Sequence, residues 1–501
     1  MQIPNDGDAR HQDTQPSGPA NTKTTSASVT EPSGRVPPID RVLGVVLMAV
    51  MATELLARSF DNSFAQSLTW IAVGATVLAS IPKIRVREVY LLSVCAVLAL
   101  LIWRLSDNPL PELGAAMSQA AFLMAFVLLL GLLHEAAGTS PSISALGRYL
   151  SRQPAGRRFY ALFSGTGIMA ILFNLGTVSF LVPLIQRGIR DSAPDDPLNP
   201  IRERRQVSAL LRGFGFSVIW SPTAIAPLAL IELIPGIDRN QWMLLGLVIF
   251  LLFMVLGALE DRMTWRAYKP RAKQVRPIFP KHAGVMFALA CTWLLSLSIL
   301  VSRLLDETII FGLMVVCPVM LVGWLAVQNR SDGHVAWNVV GARLNEIGFS
   351  GLPASARVAV TLGCSGFIGS AASALVPAQA VADSLQLGTI PDFLLLSALP
   401  PFIAFMSFFG LSPIMTSVFL GSFFGALAVL PADATLIALA ISLGWAISMI
   451  LSPFATVVLI INRVSGYAPV TLTLRWNLVY GLLCLLANVP IFAFLVWALG
   501  P

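Results

Sequence analysis

Three serine–proline pairs lie inside apolar sequence: Ser221-Pro222, Ser412-Pro413 and Ser452-Pro453. A proline inside a helix brings no amide donor and collides with the carbonyl four residues back, so the helix breaks or kinks. In lipid the freed backbone groups must meet protein or line a watery cavity. Hydroxyls beside the break can satisfy those groups or bind a solute. Two of the pairs share a wider context, Ser217-Val-Ile-Trp-Ser221-Pro222-Thr223-Ala224 and Ser448-Met-Ile-Leu-Ser452-Pro453-Phe454-Ala455-Thr456. The N-terminus of a half-helix offers free N–H groups and partial positive charge, which suits an anion, while unwound carbonyls suit Na⁺. Taken singly, each pair also reads as a structural kink.

Such breaks carry this meaning only in a chain that spans a bilayer, and the composition requires one. Of 501 residues, 56% are hydrophobic and 12% charged, against about 25% charged in an average soluble domain. The mean hydropathy is +0.77. A soluble enzyme, a disordered chain and a disulfide scaffold are thereby excluded. Cys95, Cys291, Cys317, Cys364 and Cys484 all sit in apolar runs without a CxxC pair, so reduced core thiols are expected, with no metal or redox centre. Residues 1–40 are polar and lack the apolar run of a signal peptide, which predicts a disordered cytoplasmic tail. Apolar runs follow near 42–56, 66–82, 89–103, 115–133, 207–234, 242–259, 284–302, 308–327, 357–376, 434–462 and 474–498. The chain reads as an all-α polytopic membrane protein with about 11 transmembrane helices plus two re-entrant hairpins.

The hairpins are the segments 159–186 and 393–430, interrupted by Asn174-Leu175-Gly176-Thr177 and Gly410-Leu411-Ser412-Pro413. Each half is about 12–18 residues, short for a full crossing. Read as hairpins, with the N-terminus inside, they place the basic groups of 83–87, 148–158, 187–205 and 262–281 on one side. The opposite side keeps Arg58, Arg104, Arg239 and Arg303. That asymmetry predicts a cytoplasmic N-terminus in the inner (plasma) membrane. It also assigns the net charge of +7 to topology, with no nucleic-acid partner. The first hairpin then opens from the cytoplasm and the second from outside. The order of hairpin and then broken helix therefore occurs in two inverted repeats. Repeat 1 is 113–262 (hairpin 159–186, broken helix 207–234), and repeat 2 is 355–501 (hairpin 393–430, broken helix 434–462). Residues 41–112 are N-terminal spans, and 263–354 hold connecting spans, a basic loop and an amphipathic helix near 335–349.

This arrangement resembles the ion transporter superfamily, which includes divalent anion/sodium symporters and citrate or arsenite permeases. The resemblance rests on 174–177 and 412–416 at the hairpin tips and on 221–223 and 452–456 at the breaks; no intact Ser-Asn-Thr is present. It implies that Asn174, Gly176, Thr177, Ser412, Pro413 and Thr416 at the tips hold substrate and sodium, together with Ser221, Pro222, Thr223, Ser452, Pro453 and Thr456 at the breaks. It further implies a homodimer in which a mobile core moves elevator-like beside a dimerising scaffold. The function expected is secondary active transport of a small anionic, carboxylate-like solute coupled to Na⁺ or H⁺. No cofactor is expected beyond the coupling ion.

Few charges lie within the spans. Glu232 reads as an interfacial acid or a proton carrier, and Glu54, the pair His134-Glu135 and Arg212 read as interfacial groups. Asn462 and Asn488 read as amides that join helices. An integral membrane enzyme acting on a lipid-linked substrate is the alternative function, but the chain has four histidines, one of them in the tail, and short external loops. A channel is a third class, without a selectivity filter or charge ring in its favour. No G-x-x-x-x-G-K-[ST] is present to bind ATP.

Overall fold

The computed structural model describes residues 37–60, 62–137, 140–192, 194–268, 276–331 and 334–499. Of the tail expected over 1–40, residues 1–36 lie outside this set, and Pro38 already begins the first helix. The chain is all-α apart from a two-residue antiparallel pairing, β1 (Arg330–Ser331) with β2 (His334–Val335). Four helices open it: α1 (Pro38–Phe60), α2 (Ser63–Ser80), α3 (Val86–Leu105) and α4 (Pro109–Ala137). A short α5 (Pro141–Ser151) leads to the first hairpin, α6 (Ala155–Phe173) and α7 (Gly176–Ser192). A helix broken into α8 (Asn199–Ser217) and α9 (Ile225–Leu233) follows, and then α10 (Arg239–Thr264). The connecting helices are α11 (Lys281–Leu304), α12 (Ile309–Gln328) and α13 (Trp337–Glu346). The second half repeats the order: α14 (Leu352–Leu375), a short α15 (Ala378–Ser384), the hairpin α16 (Asp392–Phe408) and α17 (Pro413–Gly425), the broken α18 (Ala434–Leu451) and α19 (Thr456–Ser465), and α20 (Leu478–Leu499).

Local chemistry sets the helix starts. The Asp238 carboxylate accepts the Asn240 and Gln241 amides to cap α10, and Asp433 accepts the Leu436 amide to cap α18. Nine helices among the described residues are long and apolar enough to cross a membrane, and the chain is a multi-pass membrane protein. Of the two remaining expected spans, 42–56 lies within α1, and 207–234 is the α8–α9 helix, broken at its centre.

The two halves run in opposite directions. Gly363 of α14 packs on Ala120 and Met124 of α4, Gly366 on Gln119, and Ala371 clusters with Ala116, so rising numbers on one helix meet falling numbers on the other. A Cβ at Gly366 would stand 2.7 Å from the Gln119 carbonyl, and small residues are what let two membrane helices approach this closely. Helices α1–α4, α12 and α14 pack together, and α14 also lies along α17 of the second hairpin, with Gly369 against Val418. The hairpins, the broken helices, α10 and α20 form a second group that meets the first along α14 and α17. The core lies in the broken helices: the Ala434–Ser465 window is 94% buried, against 17% for Val86–Leu105 and for Lys281–Leu304.

Candidate functional site

Both hairpin tips turn on one residue of positive φ, Asn174 at 43° and Gly410 at 79°. Glycine takes positive φ at no steric cost, whereas Asn174, with ψ at −128°, lies outside the left-handed helical region that asparagine tolerates and is strained. At the first tip the Asn174 carbonyl accepts the Thr177 amide at 3.1 Å. Thr177 is fully buried, and its hydroxyl has no partner among the described residues. At the second tip Ser412 precedes Pro413, the first residue of α17, and its carbonyl accepts the Met415 amide at 2.9 Å and the Thr416 amide at 3.4 Å. Ser412, Thr416 and Ser417 are buried, and the Ser417 hydroxyl also lacks a partner among the described residues.

The breaks meet the tips by the same device in both halves. The Thr223 hydroxyl donates to the Ile171 carbonyl at 2.7 Å and lies 3.2 Å from the Ser221 hydroxyl. The Ser452 hydroxyl donates to the Ser407 carbonyl at 2.9 Å and accepts the Phe454 amide at 3.2 Å. Ile171 stands three residues before Asn174, and Ser407 three residues before Gly410. Each break thus holds the last turn of its own hairpin's first helix, where carbonyls run short of intrahelical partners; the Ser407 carbonyl also accepts the Gly410 amide at 3.3 Å. Ser221 and Thr223 are buried; Thr456 and Pro453 are half-buried. Pro222 and Pro453 follow the serines and withhold the amide that would have continued the helix.

The halves also interlock. Gly215 of α8 faces Ala446 and Ile450 of α18, so the two broken helices touch just before their breaks. Helix α9 packs on α17, with Leu230 and Leu233 against Gly421, and α19 packs on α7. Tip joins break within each half, and broken helix joins broken helix between halves. No hydrogen bond among the described residues links the two tips directly.

Groups read as interfacial have more specific surroundings. The His134 imidazole lies against Gly176 at the first tip, while the adjacent Glu135 pairs with Arg343 of α13 at 3.4 Å. Phe173, the residue before the tip, meets Phe287 and Trp324 edge-on at 6.0 and 6.4 Å between centroids. Gly176→Ala would drive a methyl into the imidazole. A loss of about 1–3 kcal/mol is expected, as for other overpacked cores, and His134→Ala in the same chain should recover most of it in thermal denaturation of the detergent-solubilised protein. Glu232 stands apart from the four stretches, where Arg58 of α1 bridges it at 3.4 Å and Glu54 at 3.0 Å. Asn462 donates to the Tyr467 carbonyl at 2.8 Å, whereas the buried Asn488 amide has no partner among the described residues.

Beyond α19, a polar cluster ties α7, α8 and the following loop together. Glu203 accepts from Gln186 at 2.6 Å and from the Tyr467 hydroxyl at 3.0 Å. Burial, and then the nearby Glu203 carboxylate, push the Tyr467 phenol up to about 12. A folded value above the ordinary ~10 means that this contribution is fully present below pH ~10 and is lost as the pH rises through about 12. Tyr467→Phe should abolish that part of the alkaline loss of stability, read as melting temperature against pH.

These features define a class: a polytopic helical protein with a membrane-transporter fold, built on paired hairpins and broken helices. Among solved structures, the YdaH transporter of Alcanivorax borkumensis superposes with a TM-score of 0.53 at 15% identity, covering 83% of this chain and 100% of that one. MtrF of Neisseria gonorrhoeae, described with a class of antimetabolite efflux pumps, gives 0.48 at 12% identity over 83% of this chain and 95% of that one. No protein-family model and no curated protein matches the chain.

Sequence reasoning missed three participants. The Ile171 and Ser407 carbonyls are backbone groups with no side-chain signature. Ser417 sits one residue beyond Thr416, and nothing in its spacing separates it from an ordinary helix-interior serine.

Proposed function

We propose that this protein is a secondary active transporter for a small anionic, carboxylate-like solute, coupled to Na⁺ or H⁺. The observation that carries the reading is the duplicated bond from break to hairpin, Thr223 to Ile171 and Ser452 to Ser407. A simple kink needs no hairpin partner, and two kinks need not share one geometry. Hydroxyls at the breaks reach the end of each hairpin's first helix, and a half-helix N-terminus follows each break, a chemistry that suits an anion without a basic side chain. The residues assigned to solute and ion are Asn174, Gly176, Thr177, Ser221, Pro222, Thr223, Ser412, Pro413, Thr416, Ser452, Pro453 and Thr456. The half of the molecule that holds the hairpins moves elevator-like against α1–α4, α12 and α14, and the protein works as a homodimer. It lies in the inner membrane with a cytoplasmic N-terminus, the orientation favoured by its basic loops.

The test is a thermal-stability screen of detergent-purified protein with mono-, di- and tricarboxylates, sulfate and arsenite, each with and without Na⁺. A ligand at 100 times its Kd stabilises the folded state by about 2.7 kcal/mol. A sodium-dependent shift with one anion class is the expected result. A shift without sodium dependence assigns the coupling to protons, and no shift with any anion rejects the anionic substrate.

A further inference from the structure

We propose that the arginine-rich end of α8 and α10, together with the turn before α20, binds the phosphate headgroup of an anionic phospholipid. A small cleft lies there, with ≈ 10 Å³ of enclosed space behind its mouth, lined among others by Arg204, Ser208, Trp265 and Trp476. Two further arginines at the cavity are already neutralised. Arg205 binds Asp261 through two bonds of 3.1 and 2.6 Å, and Arg212 binds Glu260 at 2.7 Å. Arg204 has no carboxylate partner among the described residues; its Nη2 donates to the Arg475 carbonyl at 3.3 Å, and its guanidinium sits 5.1 Å from the Trp265 ring centre. The Ser208 hydroxyl is buried at the same cavity without a partner among the described residues. A guanidinium without a carboxylate, with N–H groups beyond the one given to Arg475, and an unpaired hydroxyl are donors that a phosphate oxygen can satisfy. Arg266 and Arg475, next in sequence to the two tryptophans, are exposed and add positive charge at the rim.

The surroundings favour a lipid over a soluble phosphate. Trp265 directly follows α10 and Trp476 closely precedes α20, and tryptophans at span ends mark the membrane interface. Leu259 and Met263 near the end of α10, and Val479 and Leu482 near the start of α20, are exposed apolar residues available to acyl chains. Basic pockets between membrane helices at this level hold lipid headgroups. The bound headgroup would join the first half, through α8 and α10, to the second, through the Thr471–Arg475 turn.

Native mass spectrometry of the delipidated protein in neutral detergent tests this, with phosphatidylglycerol, phosphatidylcholine or inorganic phosphate added. The wild-type chain should retain phosphatidylglycerol about fivefold or more in preference to phosphatidylcholine, the factor expected per basic contact. The double variant Arg204→Gln/Ser208→Ala should lose that preference, while Arg148→Gln, an exposed charge on α5, keeps it. Arg266→Gln with Trp265→Leu provides a second variant if the first does not elute as folded protein. Equal retention of both lipids, or an unchanged preference in the variants, overturns the proposal. Variant-sensitive binding of inorganic phosphate without lipid preference also overturns it, in favour of a soluble anion.

Discussion

Thr223→Val combined with Ser452→Ala should leave a folded protein that has lost at least roughly a hundredfold in uptake. Thr223→Val strands the Ile171 carbonyl, and Ser452→Ala takes from the Ser407 carbonyl its closer donor, leaving the Gly410 amide at 3.3 Å. An unsatisfied buried acceptor costs about 1–3 kcal/mol, and every 1.4 kcal/mol is tenfold in an equilibrium. The lost donor at the first tip and the weakened acceptor at the second, acting together on the geometry of both tips, give the stated factor. The loss should fall on transport more than on fold, because both carbonyls sit at helix ends beside turns, not within the packed ladder of α18. Uptake into proteoliposomes of whichever anion stabilises the protein measures it, with Ser59→Ala on the exposed face of α1 as the neutral control. Wild-type uptake by the double variant would reject the tips and breaks as the working site. Each single variant should show an intermediate loss if the two halves act as equivalent units.

Arg212→Ala carries the largest expected cost in stability, about 3–5 kcal/mol, the range for removing one partner of a buried ion pair. The Arg212 and Glu260 side chains are 4% and 13% exposed, so the remaining carboxylate would sit largely desolvated. The arginine also donates to the Asn477 side chain at 2.7 Å, and its guanidinium lies 4.1 Å from the Tyr480 ring centre. Three elements, α8, α10 and the start of α20, therefore share one guanidinium. Arg212→Lys should fail to rescue, because an ammonium cannot bond both partners in the planar fork or stack on the ring. Arg212→Met with Glu260→Gln should recover most of the loss, since replacing a buried pair is far less costly than breaking it. Thermal unfolding in detergent separates these cases, and a melting temperature unaffected by Arg212→Ala would remove the network from any structural role.

The broken helices and hairpins were legible because they depend on short-range rules. Proline cannot donate, and a helix of 17 or 13 residues such as α16 or α17 falls short of a bilayer, so Ser221-Pro222, Ser452-Pro453 and both tips stand out in an apolar background. The partners of His134 and Arg212, read as interfacial groups, escaped the sequence for the converse reason. Distance along a helix says how far a residue lies from the helix end, but not which neighbour faces it. The first tip reaches His134 from another part of the chain, and Glu260 reaches Arg212 across 48 residues.

By itself, then, the order of residues determined a multi-pass helical protein, the places where its helices must break, and the duplication of that pattern in opposite directions. These follow from hydropathy, proline stereochemistry and charge, all of which act within a few turns of one helix. Tertiary structure alone decided that Thr223 and Ser452, and not simply the serine of each Ser-Pro pair, tie break to hairpin. It alone decided that the two broken helices touch at Gly215 and Ala446–Ile450. Those choices depend on which backbone carbonyl lies within three ångströms of a hydroxyl and on where a missing side chain lets two helices meet. Both are properties of packing between segments far apart in the chain.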